Sequence, residues 1–205
     1  MHERDPLPAI LGETDIYVID QILRGNIAPT MRVLDAGLGR GRNVRYLLKA
    51  GYSVMGFDPE PKAVELVQAM QTQLVRNGDP DSFRVGTLEA NDFADGCANV
   101  VLVNAVLHFA QDLEHWRRMV HGAWRLLAPG GLFFARLATS IGIEPLLSGG
   151  TVGFMRLPDT SWRFLVDADL LESMSNELHA TWVDPLKTTV VHGQRSMSTW
   201  VLRKP

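Results

Sequence analysis

The chain of 205 residues contains one cysteine, Cys97. No disulfide can form within it, and a reducing compartment is the expectation. Basic residues show no excess: 20 Lys and Arg against 23 Asp and Glu leave a net charge of −3. No overall field draws the chain to nucleic acid or to an anionic membrane, so neither is expected as a partner. The densest basic run, "RRMVHGAWR" (117–125), has its charges spaced like the solvated face of a helix. Long apolar runs are missing too. The longest, "ANVVLVNAVLHFA" (98–110), is interrupted by Asn104 and His108 and is too short to span a bilayer. The opening "MHERDPLPAI" lacks the apolar core of a signal peptide. Cys97 has no partner cysteine, and His115, His121, His179 and His192 make no pair at metal-ligand spacing, so no metal site is expected. The sum is a soluble, cytoplasmic protein. With 46% apolar residues it can fill one core, read as one domain over residues 1–205. No feature sets an oligomeric state.

What is present is an alternation of apolar runs with segments of helical period, the pattern of a parallel sheet flanked by helices. Strands are predicted at 31–37, 52–58, 82–87, 98–104 and 132–138. Helices are predicted at 43–51, 59–78, 113–127 and 167–178, the second with a stripe of Ala63, Val67, Met70 and Leu74. A lead-in helix over 15–25 presents Ile16, Ile19 and Leu23 on one face, with Val18 and Ile22 as further candidates for it. "APGG" (128–131) reads as a turn, and 179–185 and 195–203 as strands joined through a hairpin at Gly193. Between them, residues 139–164 are rich in Gly, Pro and Ser and without clean period; a segment that long reads as a functional loop or lid. The expected fold is a Rossmann-like, doubly wound, seven-stranded α/β sheet with an antiparallel C-terminal hairpin and helices on both faces.

The chemistry concentrates in "VLDAGLGRGRN" (33–43). A dinucleotide fingerprint needs G-x-G-x-x-G. Counted from Gly37, the third slot is Arg42, and the third glycine arrives one residue early at Gly41. Asp35 stands at the mouth of the first strand, where it would repel a pyrophosphate and attract an ammonium group. S-adenosylmethionine fits better: it has no phosphate, carries an amino acid and a sulfonium, and can lie against a loop cleared of side chains at Gly37, Gly39 and Gly41. The helix N-terminus that follows would face its carboxylate. Asp58 ends the second strand, 21 residues beyond Gly37. It is placed either to take two ribose hydroxyls or to cap the next helix.

"VLDAGLGRGRN", "GYSVMGFD", "VVLVNAVLHF" and "WRLLAPGGLFFARL" resemble, in order and spacing, the motifs of class I S-adenosylmethionine-dependent methyltransferases. Within that family, "GRGRNVRYLLKAGYSVMGFD" is most similar to the tellurite-resistance methyltransferase group. The resemblance implies that Thr87 occupies the slot of an acid that reads adenine, with Leu88 beside the ring and Glu89 as a substitute reader. It implies that the carbonyl of Asn104 meets the methionine amino group, and that Leu38 replaces the family's usual cysteine. The expected cofactor contacts are Asp35, Gly37, Leu38, Gly39, Gly41, Asn43, Asp58, Pro59, Thr87, Leu88, Glu89, Asn104 and Ala105.

The expected reaction is methyl transfer to a small molecule, which rests largely on holding the acceptor in line with the S–CH3 bond. His108, just past the fourth strand, is the candidate general base, or else a wall of the cofactor site. Tyr17, Arg136, Arg156 and Trp162 are the candidate acceptor contacts; Phe154 and Arg163 lie in the same lid. The lid aromatics have a second reading, as anchors that pin the loop to the sheet. Two rivals remain: a non-catalytic S-adenosylmethionine-binding module and a nicotinamide-dependent oxidoreductase.

Overall fold

The run "RVLDA" shows no polar alternation because both of its faces are covered. In the computed structural model of the chain, which describes residues 6–205, it forms strand β1 (Arg32–Ala36), buried from Val33 onward. The pentapeptide "MHERD", and with it much of the signal-peptide reading, lies outside the described residues. β1 pairs in parallel with β2 (Ser53–Asp58), which carries β3 (Phe83–Val85) on its far side. On its other edge β1 pairs with β4 (Ala98–Asn104), followed by β5 (Leu127–Thr139), again parallel.

Alternate residues of these strands feed two cores. Val33, Val54, Val100, Leu102 and Phe134 pack against helices α2 (Ile16–Leu23), α3 (Arg42–Lys49) and α4 (Pro61–Leu74). Leu34, Val101, Val103, Phe133 and Ala135 pack against α5 (Leu113–Leu126) and α6 (Ala168–Glu177). The sheet is doubly wound, as the alternation of runs predicts. A short helix ahead of the sheet, α1 (Leu7–Leu11), was not among the expected elements.

Several expectations need correction. In α2 the buried residues are Val18 and Gln21, whereas Ile16 and Leu23 are 73% and 81% exposed. The helix is held by polar contacts that hydrophobic counting misses: Gln21 Nε2 donates to Asp184 (2.7 Å), which also receives Arg24. The buried row of α4 is Val64, Val67 and Gln71, with Ala63, Met70 and Leu74 only flanking it. "APGG" lies within β5 as an irregularity, where the pairing jumps from Ala98–Leu127 to Val100–Leu132. The lid region holds a two-stranded hairpin, β6 (Gly153–Arg156) with β7 (Trp162–Leu165), rooted by Met155 and Leu165 on Ala138 and Ile143.

At the far edge β10 (Arg195–Arg203) runs antiparallel to β5. The seventh position is shared: β8 (Thr181–Trp182) pairs with Leu202 and Arg203, and β9 (Lys187–Val191) with Arg195–Thr199. The sheet thus has seven positions and eight strands. The hairpin partner of β10 is β9, not the segment 179–185; the turn takes His192 and Gly193 at φ 50° and 64°, the left-handed pair that suits a tight hairpin. Among the described residues no helix is long and apolar enough to cross a membrane.

Candidate active site

β1 ends at Ala36, and the chain turns through Gly37–Gly41 before α3. The turn is pinned to β2, because the N–H groups of Gly37 and Leu38 both donate to the Phe57 carbonyl (2.9 and 3.3 Å). Gly37 sits at φ +94°, and a Cβ there would stand 2.4 Å from Cγ2 of Val106. Only glycine lets this loop and the chain beyond β4 approach so closely. Asp58 fastens the next residue pair: Oδ2 accepts the Gly39 N–H (2.8 Å) and Oδ1 the Glu60 N–H (2.9 Å). The cap of α4 is Glu60, whose side chain accepts the Lys62 N–H. Asp58 is therefore not the cap of that helix.

These strand ends enclose a cleft of about 430 Å³ at the carboxyl edge of the sheet, where open α/β sheets bind ligands. Asp35, Gly37, Leu38, Gly39, Asn43, Asp58, Pro59, Asn104 and Ala105 line it. Gly41 stands behind, as the left-handed N-cap of α3. Thr87, Leu88 and Glu89 are not brought to the cleft. Thr87 Oγ1 accepts the Ala90 N–H (3.0 Å), and Glu89 pairs with His115. Leu88 is buried under α5, so close that a Cβ on Gly122 would meet its carbonyl oxygen at 2.1 Å. Sequence reasoning missed Glu13, Arg40 and Phe109 as wall residues, and took Arg42 only as a glycine replaced.

A second cavity of about 370 Å³ adjoins the first and shares Arg42 and Ala105 with it. His108, Arg136, Arg163, Arg195 and Asp159 contribute its polar groups. Ala105 takes φ 65° at the junction, and its N–H donates to the Arg136 carbonyl (2.7 Å). Beside the junction lies Asp15, which sequence reasoning had used only as the start of a helix. One oxygen caps α2 by accepting the Tyr17 N–H (2.9 Å); the other faces Arg136 (3.3 Å) and Arg42 (3.5 Å). Tyr17 does not line the cavity. Its ring lies 5.1 Å under the Arg136 guanidinium, and its hydroxyl bonds Thr189 Oγ1 (2.6 Å), so it braces Arg136. Arg156 and Trp162 are cross-strand partners on the other face of the hairpin from Arg163. Trp162 stacks on Phe154 and is 53% exposed, and Arg156 lines a separate hollow. The pleat places their neighbour Arg163 at the cavity instead.

Residues 34–135 match the family model described as a methyltransferase domain. That segment is a methyltransferase domain. Over 123 residues, 58% of this chain, it is 32% identical to a ubiquinone biosynthesis O-methyltransferase of Methylocella silvestris, of which the match covers 46%. The chain spans about half the length of the curated relatives it matches. Among solved structures, magnesium protoporphyrin IX methyltransferase of Synechocystis, with bound S-adenosylhomocysteine, superposes with a TM-score of 0.69 at 18% identity, over 93% of this chain and 81% of that one. The 1,6-didemethyltoxoflavin-N1-methyltransferase of Burkholderia thailandensis, with its acceptor and S-adenosylhomocysteine bound, gives 0.66 at 22% identity, over 97% and 79%. At these identities the likeness establishes a shared fold.

The matched segment supplies His108 and all of the cleft lining except Glu13, whereas Arg136, Arg163 and Arg195 lie beyond it. Its electrostatics are unusual at two points. Asp35 is 2% exposed, and burial pushes its carboxyl up to about 7, with Arg42 pulling down and Asp58 pushing up. Asp35 Oδ1 and Asn104 Nδ2 are both buried without a partner among the described residues, although Asn104 Oδ1 accepts from Arg42 (2.8 Å). An acceptor and a donor left open in one cleft suit the ammonium and carboxylate of an amino acid. His108 is pulled down to about 4 by burial and then by the charge of Arg163, so it is neutral at neutral pH; its Nδ1 also has no partner among the described residues.

Proposed function

We propose that the protein is an S-adenosylmethionine-dependent methyltransferase acting on a small molecule. The observation that carries this reading is the open carboxylate oxygen of Asp35, buried at the head of the glycine turn. A pyrophosphate there would meet a buried carboxylate, whereas an ammonium group completes it. That argues against a nicotinamide cofactor. The S-adenosylhomocysteine held by two proteins of the same fold supports the reading. Asp35 takes the ammonium, Asn104 Nδ2 and Arg42 the carboxylate, and Asp58 the ribose hydroxyls with the lone pairs that Gly39 and Glu60 leave free.

The cofactor, when bound, supplies a methyl group made electrophilic by the sulfonium. Transfer to the acceptor atom would break the S–CH3 bond and leave its electron pair on sulfur. The chain's part is positioning: Ala105 and Arg42 stand where donor cleft and acceptor cavity meet. A neutral His108 is a hydrogen-bonding partner for the acceptor and a weak base. The adjoining cavity favours catalysis over the reading as a mere binding module. The likeness of residues 39–58 to the tellurite-resistance group adds metalloid oxyanions to the acceptors worth assaying.

Calorimetry tests the proposal. S-adenosylmethionine and S-adenosylhomocysteine are expected to bind and NAD(P) not to; the opposite result refutes it. Asp58→Ala is expected to weaken S-adenosylhomocysteine by about 1–3 kcal/mol, the cost of losing charge-assisted hydrogen bonds. An unchanged affinity would reduce Asp58 to a fastener of the loop.

A further inference from the structure

The acceptor cavity is positive in a chain that is negative overall. Arg42, Arg136, Arg163 and Arg195 line it, against one carboxylate, Asp159. Asp159 is partly engaged elsewhere: its Oδ1 accepts both the N–H (3.0 Å) and the hydroxyl (2.6 Å) of Ser161, and its Oδ2 stands 4.0 Å from Arg195. A second acid, Asp15, lies outside the lining and divides one oxygen between Arg42 and Arg136. Four guanidiniums therefore face two carboxylates, and the one histidine in the cavity is neutral at neutral pH.

Two of these arginines have donors to spare. Among the described residues, Arg136 Nε is buried without an acceptor, and the one side-chain hydrogen bond of Arg163 runs to the Trp162 carbonyl (2.6 Å). Arg163 is also set in place, with its guanidinium 5.3 Å from the centre of the Phe109 ring. Like charges gathered in a partly enclosed cavity repel unless an anion joins them, and guanidinium forks match planar oxyanions. We infer that this cavity binds a small oxyanion, a carboxylate or a phosphate ester, and that the methyl acceptor is an anionic molecule held by Arg163 and Arg195 with its nucleophile turned toward Ala105. The acceptor role rests on the methyl-donor reading of the neighbouring cleft; the anion site rests on the cavity alone.

The test uses the full chain saturated with S-adenosylhomocysteine and matched probes: benzoate against benzamide, phenyl phosphate against phenol, and inorganic phosphate, read by saturation-transfer NMR and calorimetry. The anionic member of at least one pair is expected to bind tenfold or more tightly than its neutral partner. A preference in the benzoate pair assigns a carboxylate, one in the phenyl phosphate pair a phosphate ester. In Arg163→Gln and Arg195→Gln that preference collapses at unchanged Tm, and Trp162→Ala, on the outer face of the hairpin, keeps it. Neutral probes binding as tightly as the anions, binding of inorganic phosphate alone, or a preference that survives both arginine variants overturns the inference. If S-adenosylhomocysteine itself fails to bind, the donor reading falls, and the same titrations on the unliganded protein still decide the anion site.

Discussion

The donor cleft and the acceptor cavity share two residues and are built in opposite ways. The cleft is made by one continuous segment, residues 35–43, flanked by Asp58 from β2 on one side of β1 and Asn104 from β4 on the other. Its key contacts are backbone: two N–H groups on the Phe57 carbonyl and one on Asp58. The cavity is made of side chains brought from β5, β7, β9 and β10, residues far apart in the chain. The turn that shapes the cleft tolerates little change of conformation, whereas the cavity can be altered one side chain at a time, which suits a donor common to many enzymes beside an acceptor peculiar to one.

The sharpest way to break this contrast is Gly37→Ala. The new Cβ meets Val106, and the backbone is held in the left-handed region. About 3 kcal/mol of stability should be lost, from strain and overpacking together, measured by urea unfolding. S-adenosylhomocysteine binding should vanish with it. If the variant is stable and binds normally, the cleft does not depend on its backbone shape.

A second test uses two buried groups with opposite pH behaviour. Asp35 has its folded value raised to about 7, so the stability it contributes is full below the ordinary carboxylate value near 4 and is lost as pH rises toward 7. His108 has its folded value lowered to about 4, so its contribution is full above about 6.5 and is lost as pH falls toward 4. Between pH 4 and 6.5 the two slopes oppose each other. Asp35→Asn should unmask the His108 slope, with stability rising by up to about 1.4 kcal/mol per pH unit over that window. His108→Gln should unmask the reverse. Cofactor affinity should rise from pH 6 to pH 8 in the unaltered protein, as Asp35 ionises, and be weak and flat in Asp35→Asn. Parallel pH profiles in both variants would mean neither group is buried as described.

The contrast also explains how far the sequence could be read. The parallel strands, α3 to α6 and the glycine turn are local patterns, and each emerged where expected, although β5 starts five residues earlier, β3 keeps only three residues and α4 ends at Leu74. Asp35 was legible because it lies two residues from Gly37 in the same motif. Asp15 was not, since its role depends on Arg42 and Arg136, 27 and 121 residues away. Thr87, Leu88 and Glu89 were expected at the cleft on the strength of a family slot, but a tight turn at Thr87–Ala90 directs them elsewhere. Trp162 and Arg156 were chosen by residue type in a segment with no visible period. Recognising "GFMR" and "WRFL" as facing strands would have exposed their shared face and put Arg163 on the other. The hairpin turn "LPDTS" was the available signal.

The smallest expected effect lies at the seam between the two sites. Ala105 holds φ 65° without being glycine, tied to the Arg136 carbonyl. A left-handed alanine costs about 1–2 kcal/mol, and glycine relieves that strain while adding about 0.5–1 kcal/mol of unfolded-state entropy. Ala105→Gly should therefore stabilise the fold by about 0.5 kcal/mol, a small rise in Tm. The freed seam should also let donor and acceptor drift out of line, since strain held at a site often serves its geometry. Turnover should fall severalfold while S-adenosylhomocysteine affinity and the anion preference stay as they were. A variant that is less stable than its parent would show that the alanine methyl packs the seam rather than straining it. A stabilised variant with full turnover would show that donor and acceptor are aligned by their own two sites, with nothing required of the residue between them.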